Sequence, residues 1–117
     1  MRALFGAFIA LLVMLSPAPA DTLEGQYRIR GVEPDGRPYE GALAVKKMGE
    51  TYVVIWSVGG RRFVGTALGA PSGFAVSFRH GEASGIAIFR PTEEGYEGAF
   101  AYHLNARAGQ ERWIRRE

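Results

Sequence analysis

The sequence predicts an all-β chain and, within that class, an eight-stranded antiparallel up-and-down meander barrel of lipocalin- or avidin-like architecture. Three observations predict it. From residue 21 onward apolar residues recur at every second position. Clusters containing Gly or Pro interrupt them at the roughly 8–12-residue spacing of antiparallel sheets. Every connection is short enough to be a hairpin, whereas the alternative, a two-sheet β-sandwich with Greek-key wiring, needs at least one long crossover.

The strands are read as Leu23 to Arg30, Tyr39 to Lys47, Thr51 to Val58, Arg61 to Leu68, Phe74 to Arg79, Gly85 to Arg90, Tyr96 to Leu104 and Gln110 to Arg115. Between them lie Pro34-Asp35-Gly36, Met48-Gly49, Gly59-Gly60, Pro71-Ser72-Gly73, His80-Gly81-Glu82, Glu93-Glu94-Gly95 and Ala106 to Gly109. Gly59-Gly60 is the most specific turn signal, because a two-residue hairpin needs positive φ and Gly reaches it without a Cβ clash. Glycines inside strand runs, such as Gly41, Gly65 and Gly98, allow the strong coiling that barrel closure requires.

Parity assigns the faces. Leu23, Tyr27, Ile29, Leu43, Val45, Tyr52, Val54, Trp56, Phe63, Phe74, Val76, Phe78, Ile86, Ile88, Tyr96, Phe100, Tyr102 and Trp113 are expected inside. The opposite parity carries Arg28, Arg30, Glu40, Lys46, Arg62, Arg79, Glu97 and Arg112, as water-facing positions do. The third strand breaks the rule: Val53 and Ile55 fall on the wet side, an apolar outer strip that a protein partner or a second copy could cover. Replacing both by Thr or Lys is expected to abolish such binding without lowering stability.

The chain has 117 residues, 14 basic and 12 acidic side chains and no Cys. That length holds one domain, and the near-balanced charge argues against nucleic acid as a partner. The absence of Cys removes disulfides, thiol nucleophiles and zinc–thiolate sites. Residues 1–20 read as a signal peptide: Met1-Arg2, an apolar run from Ala3 to Leu15, then Ala18-Pro19-Ala20 as a small-x-small cleavage pattern. The run is short of the ~20 residues that span a membrane. The expected mature chain therefore begins at Asp21, forms one barrel domain over residues 21–117, and is exported to the periplasm or beyond with no membrane insertion after cleavage.

Chemistry is sparse. His80 and His103 have no Cys, Asp or Glu at ligand spacing, and no HExxH occurs, so neither a metal nor a cofactor is expected. No serine lies in a nucleophile elbow, and no Gly-rich phosphate loop precedes a helix. Basic pairs at Lys46-Lys47 and Arg61-Arg62 and the Arg112, Arg115, Arg116 set could meet at one end of the barrel, but Glu50, Glu111 and Glu117 beside them leave the sign mixed. No catalytic residues are assigned.

Leu23-Glu24-Gly25-Gln26-Tyr27-Arg28-Ile29-Arg30-Gly31, Pro34-Asp35-Gly36, Tyr39-Glu40-Gly41, the run Gly49 to Trp56 and Gly59-Gly60 together resemble short exported proteins of proteobacteria, many of them called fibronectin-binding. The likeness continues through Phe74 to Phe78, Gly85 to Phe89 and Glu111-Arg112-Trp113. It departs at Gly95 to Phe100, where that pattern has Trp in place of Phe100. The resemblance implies an exported binding protein; the residues that carry it are turns and core, not binding determinants.

Two function classes follow. The first is a non-enzymatic exported binding module that contacts a macromolecule, such as a fibronectin-like or envelope protein, through its outer surface at Val53 and Ile55. The second is a carrier of a small apolar or aromatic ligand, with Tyr27, Trp56 and Tyr102 lining the cup because each joins a large apolar body to a polar tip. A secreted-protease inhibitor is a further alternative, although such barrels have a longer N-terminal trunk than Asp21 to Glu24 provides. A filled barrel favours the first class; a cup of ~300 Å³ or more favours the second.

Overall fold

A computed structural model describes residues 22–116; the signal-peptide reading of residues 1–20 lies outside them. Eight strands follow in order: β1 (Gly25–Val32), β2 (Pro38–Met48), β3 (Thr51–Val58), β4 (Arg61–Ala70), β5 (Gly73–His80), β6 (Ala83–Pro91), β7 (Gly95–Tyr102) and β8 (Gly109–Arg115). Each pairs antiparallel with its successor, and β8 pairs with β1, closing the barrel. None of the described residues is helical. Closure removes the two free edges that an open eight-stranded meander would present.

The register fixes the width. Carrying the pairs Gly25↔Val45, Val45↔Val54, Val54↔Gly65, Gly65↔Phe78, Phe78↔Gly85 and Gly85↔Tyr102 onward through the last two ladders returns to the line of β1 ten residues beyond Gly25. Eight strands with a shear of ten tilt by roughly 43° and enclose a lumen of about 8 Å backbone radius. Side chains alone nearly fill such a lumen.

Aromatic rings do most of the filling. Around the end where β1 begins and β8 finishes, Tyr27 lies 5.3 Å from Trp113, Phe89 4.5 Å from Trp113 and Phe74 4.9 Å from Tyr96, by ring centroids. Leu23, fully buried just ahead of β1, stoppers this closed end. Its carbonyl accepts the Tyr27 hydroxyl at 2.7 Å, while the Arg115 guanidinium covers the Tyr27 ring and donates to the carbonyl of Glu24. At the other end the connections are the 33–37 turn, Gly59-Gly60, Gly81-Glu82 and the 103–108 loop. Gly59 and Gly60 both have positive φ, as the two-residue turn requires.

One strand reverses its expected face. Ile86 and Ile88 point outward, 67% and 66% exposed, and Gly85, Ala87 and Phe89 point in. The β5–β6 ladder sets Gly85 opposite Phe78, and the β6–β7 ladder sets Gly98 opposite Phe89. A Cβ added at Gly98 would stand 2.7 Å from the Phe89 ring. In a lumen this narrow the residue facing a large ring must be the smallest available, so volume overrides hydrophobicity on β6.

Candidate functional site

The lumen is open at one end only. There a cup of about 60 Å³ is lined by Glu33, Tyr39, Trp56, Val58, Phe63, Phe78, Ala87, Phe89, Phe100, Tyr102 and Glu111. Glu33, Tyr39, Val58, Phe63 and Tyr102 form a half-buried rim, and Trp56, Phe78, Phe89, Phe100 and Glu111 form the buried floor and wall. The strand ends explain the arrangement. The last inward residue of β3, the first of β4 and the last of β7 meet at this mouth, and the 33–37 turn brings Glu33 over it.

Glu111 is the buried charged residue among those described, 6% exposed. Oε2 accepts the Trp56 indole N–H at 2.8 Å and the Trp113 indole N–H at 2.7 Å, and Oε1 accepts the Tyr39 hydroxyl. Burial raises the Glu111 carboxyl above its ordinary range, and the three donated hydrogen bonds oppose that rise. Burial likewise raises the Tyr39 phenol, with the Glu111 charge adding to it. At the rim the Tyr102 hydroxyl donates to Glu33 Oε1 at 2.8 Å, and burial together with that carboxylate pushes Tyr102 up to about 12. Both phenols therefore stay protonated and act as donors at neutral pH.

Of the residues expected to line a cup, Trp56 and Tyr102 do so. Tyr27 does not: it belongs to the closed end, where burial pushes it up to about 12. Glu111, which the sequence groups with the mixed surface charges, is instead buried in the lumen. Its signal was present, because it shares the parity of Trp113 two residues on, and inward parity places a carboxylate among the aromatics. The three basic sets do not all converge: Lys46-Lys47 and Arg115-Arg116 share the closed end, where β2 and β8 finish and both meet Glu24, while Arg61-Arg62 lie at the open end of β4.

Val53 and Ile55 face outward, as expected, and are half-buried by their neighbours Lys46 and Thr66, and Ala44 and Val64. They belong to a wider apolar wall. Val64 and Leu68 on β4 and Ile86 and Ile88 on β6 are all at least half exposed. Ile88 stands between Ala75 and Ala99, and Ile86 between Ser77 and Ala101, so an aliphatic ridge runs between two shallow channels of small residues. Arg28, Arg30, Glu40 and Arg112 make β1, β2 and β8 the more charged wall, while Arg79 beside Val64 and the Arg90–Glu97 ion pair stand at the ends of the apolar one.

Among the described residues no three His, Asp or Glu side chains gather into a metal-holding group. No protein-family model matches the chain, and no curated protein matches it. Among solved structures it is similar to a redesigned β-barrel, at 14% identity with a TM-score of 0.66, over 81% of this chain and 92% of that one. The likeness is one of fold.

Proposed function

We propose that the protein is an exported, non-enzymatic binding module that works by protein–protein contact through the outer wall of β3 to β7. The observation that carries the reading is the exposed Ile86–Ile88 ridge with its flanking channels, continuous with Leu68, Val64, Ile55 and Val53. An apolar wall bounded by Arg79 beside Val64 at one end and by the Arg90–Glu97 ion pair at the other fits a partner protein with an aliphatic face of its own. The resemblance to exported proteins called fibronectin-binding points in the same direction. The non-catalytic part is supported by Glu111, whose two carboxylate oxygens are committed to three donors rather than held ready for a substrate proton. A cup of about 60 Å³ falls well short of the ~300 Å³ that a drug-sized ligand occupies, which weighs against the carrier as the principal role.

Site-specific photocrosslinking in producing cells tests the reading. A photoreactive residue at position 86 is expected to give an adduct of discrete mass, one at position 28 on the charged wall none, and Ile88→Lys is expected to abolish the adduct. An adduct of twice the chain mass identifies the partner as a second copy. Equal labelling from both walls, or none from position 86, would sink the proposal.

A further inference from the structure

The cup at the open end is small, but its chemistry is selective. Its walls are the faces and edges of Trp56, Phe63, Phe78, Phe100 and Tyr102, and its charged residues are Glu33 and Glu111. Among the described residues no lysine or arginine lines it. Arg37, whose charge reaches Tyr102, is held outside at the rim by Asp35, Nε to Oδ2 at 2.9 Å. An anion would meet two carboxylates and the negative faces of several rings. A neutral apolar molecule would gain the rings and nothing from the carboxylates. A cation gains both, because ring quadrupoles attract positive charge and the carboxylates add a direct Coulomb term in a partly desolvated setting.

The polar groups define the kind of cation. Both Glu111 oxygens and one Glu33 oxygen already accept protein hydrogen bonds, so among the described residues Glu33 Oε2 is the one carboxylate oxygen of the cup with no donor. A primary ammonium with three N–H groups would find that one unengaged carboxylate oxygen and would otherwise have to share oxygens already tied into protein hydrogen bonds. An ammonium whose hydrogens are replaced by methyl groups makes no such demand and presents those methyls to the rings. We infer that the open end of the barrel is a binding site for a small methylated ammonium group, caged by Trp56, Phe63, Phe78 and Tyr102 and neutralised by Glu33 from the rim. The volume, about 60 Å³, admits a headgroup rather than a whole drug-sized ligand, so the remainder of a larger molecule would project through the mouth between Phe63 and Glu33. This site is separate from the outer wall and stands or falls independently of it.

Trp56 lines the cup, and the sequence has two tryptophans, so intrinsic fluorescence reports on occupancy. The purified protein is titrated at constant ionic strength with choline chloride and, in parallel, with 3,3-dimethylbutan-1-ol, the uncharged molecule of the same shape. Choline is expected to give a saturable change with a millimolar midpoint, and the alcohol a midpoint at least tenfold higher. Glu33→Gln keeps the acceptor for Tyr102 and removes the charge, and is expected to weaken choline at least fivefold while leaving the alcohol unchanged. Phe63→Leu, which removes a rim ring and keeps both carboxylates, is expected to weaken choline more than the alcohol, and it serves as the test if Glu33→Gln fails to fold. A choline response that does not saturate below 100 mM, a less than tenfold preference over the alcohol, or full choline affinity in these variants would overturn the inference.

Discussion

Glu111 shows how one side chain organises an interior. A carboxylate in an aromatic lumen is costly unless its oxygens are occupied, and two indoles and a phenol occupy them. The donors depend on the acceptor as much as the reverse, since among the described residues Glu111 is the partner of both the Trp56 and the Trp113 N–H. Glu111→Leu is accordingly expected to destabilise by about 2–5 kcal/mol through orphaned donors, measured by chemical denaturation. Glu111→Gln is expected to cost much less, because its oxygen can take the two indoles while its amide donates to a rotated Tyr39 hydroxyl. The pair also separates in pH. A carboxyl whose folded pKa is raised contributes its full stability below the unfolded value and loses it as pH climbs through the folded one. The stability of the native chain relative to Glu111→Gln should therefore fall between about pH 4 and the higher folded pKa; a rise over that range would show that the three hydrogen bonds outweigh burial. None of this is visible from Gln110-Glu111-Arg112, which reads as a water-facing strip unless the parity of Trp113 is carried back two residues.

At the scale of the element, the strands and turns were legible and the facing of one strand was not. All eight runs and the Gly59-Gly60 hairpin are where alternation and turn chemistry put them, because both signals are local, except that His103-Leu104, read as the end of the seventh run, turn away after Tyr102 with Leu104 at positive φ. The β6 error arose because local hydrophobicity favours Ile86 and Ile88 over Gly85 and Ala87. What decides the matter is non-local: Phe78 stands opposite Gly85, and Phe100 opposite Ala87. The same limit applies to Tyr27 and Tyr102, alike in chemistry but at opposite ends of the lumen, where strand direction rather than residue type selects the cup. Ala87→Ile is expected to cost roughly 1–3 kcal/mol by overpacking against Phe100 and Phe78, whereas Ile88→Lys should move stability by no more than about 0.5 kcal/mol. Thermal denaturation of the two variants distinguishes the facing seen here from the opposite one.

For the whole molecule, the closed sheet separates four surfaces that a linear reading mixes together: a plugged end held by Leu23 and Arg115, an open end with a cup, and two side walls of unequal polarity. The plug is a short segment with large effect. Leu23→Ala is expected to cost about 2–4 kcal/mol, because the leucine is fully enclosed although it lies outside any strand. A loss under about 1 kcal/mol in a urea titration would mean that the end can collapse over the missing side chain.

The pairing of β8 with β1 also governs when the molecule can come into being. The ladder joining Tyr27 to Arg115 spans nearly the whole described chain, so its loop-closure entropy is met last and at one step. Until the final seven-residue strand has left the ribosome, β1 and β7 each hold an unsatisfied edge and the aromatic lumen lies split open. The nascent chain is thus unable to finish folding by halves. It must be kept apart from its neighbours for the whole of its synthesis, and a chain cut short before Gly109 should be sticky and protease-sensitive rather than a smaller barrel.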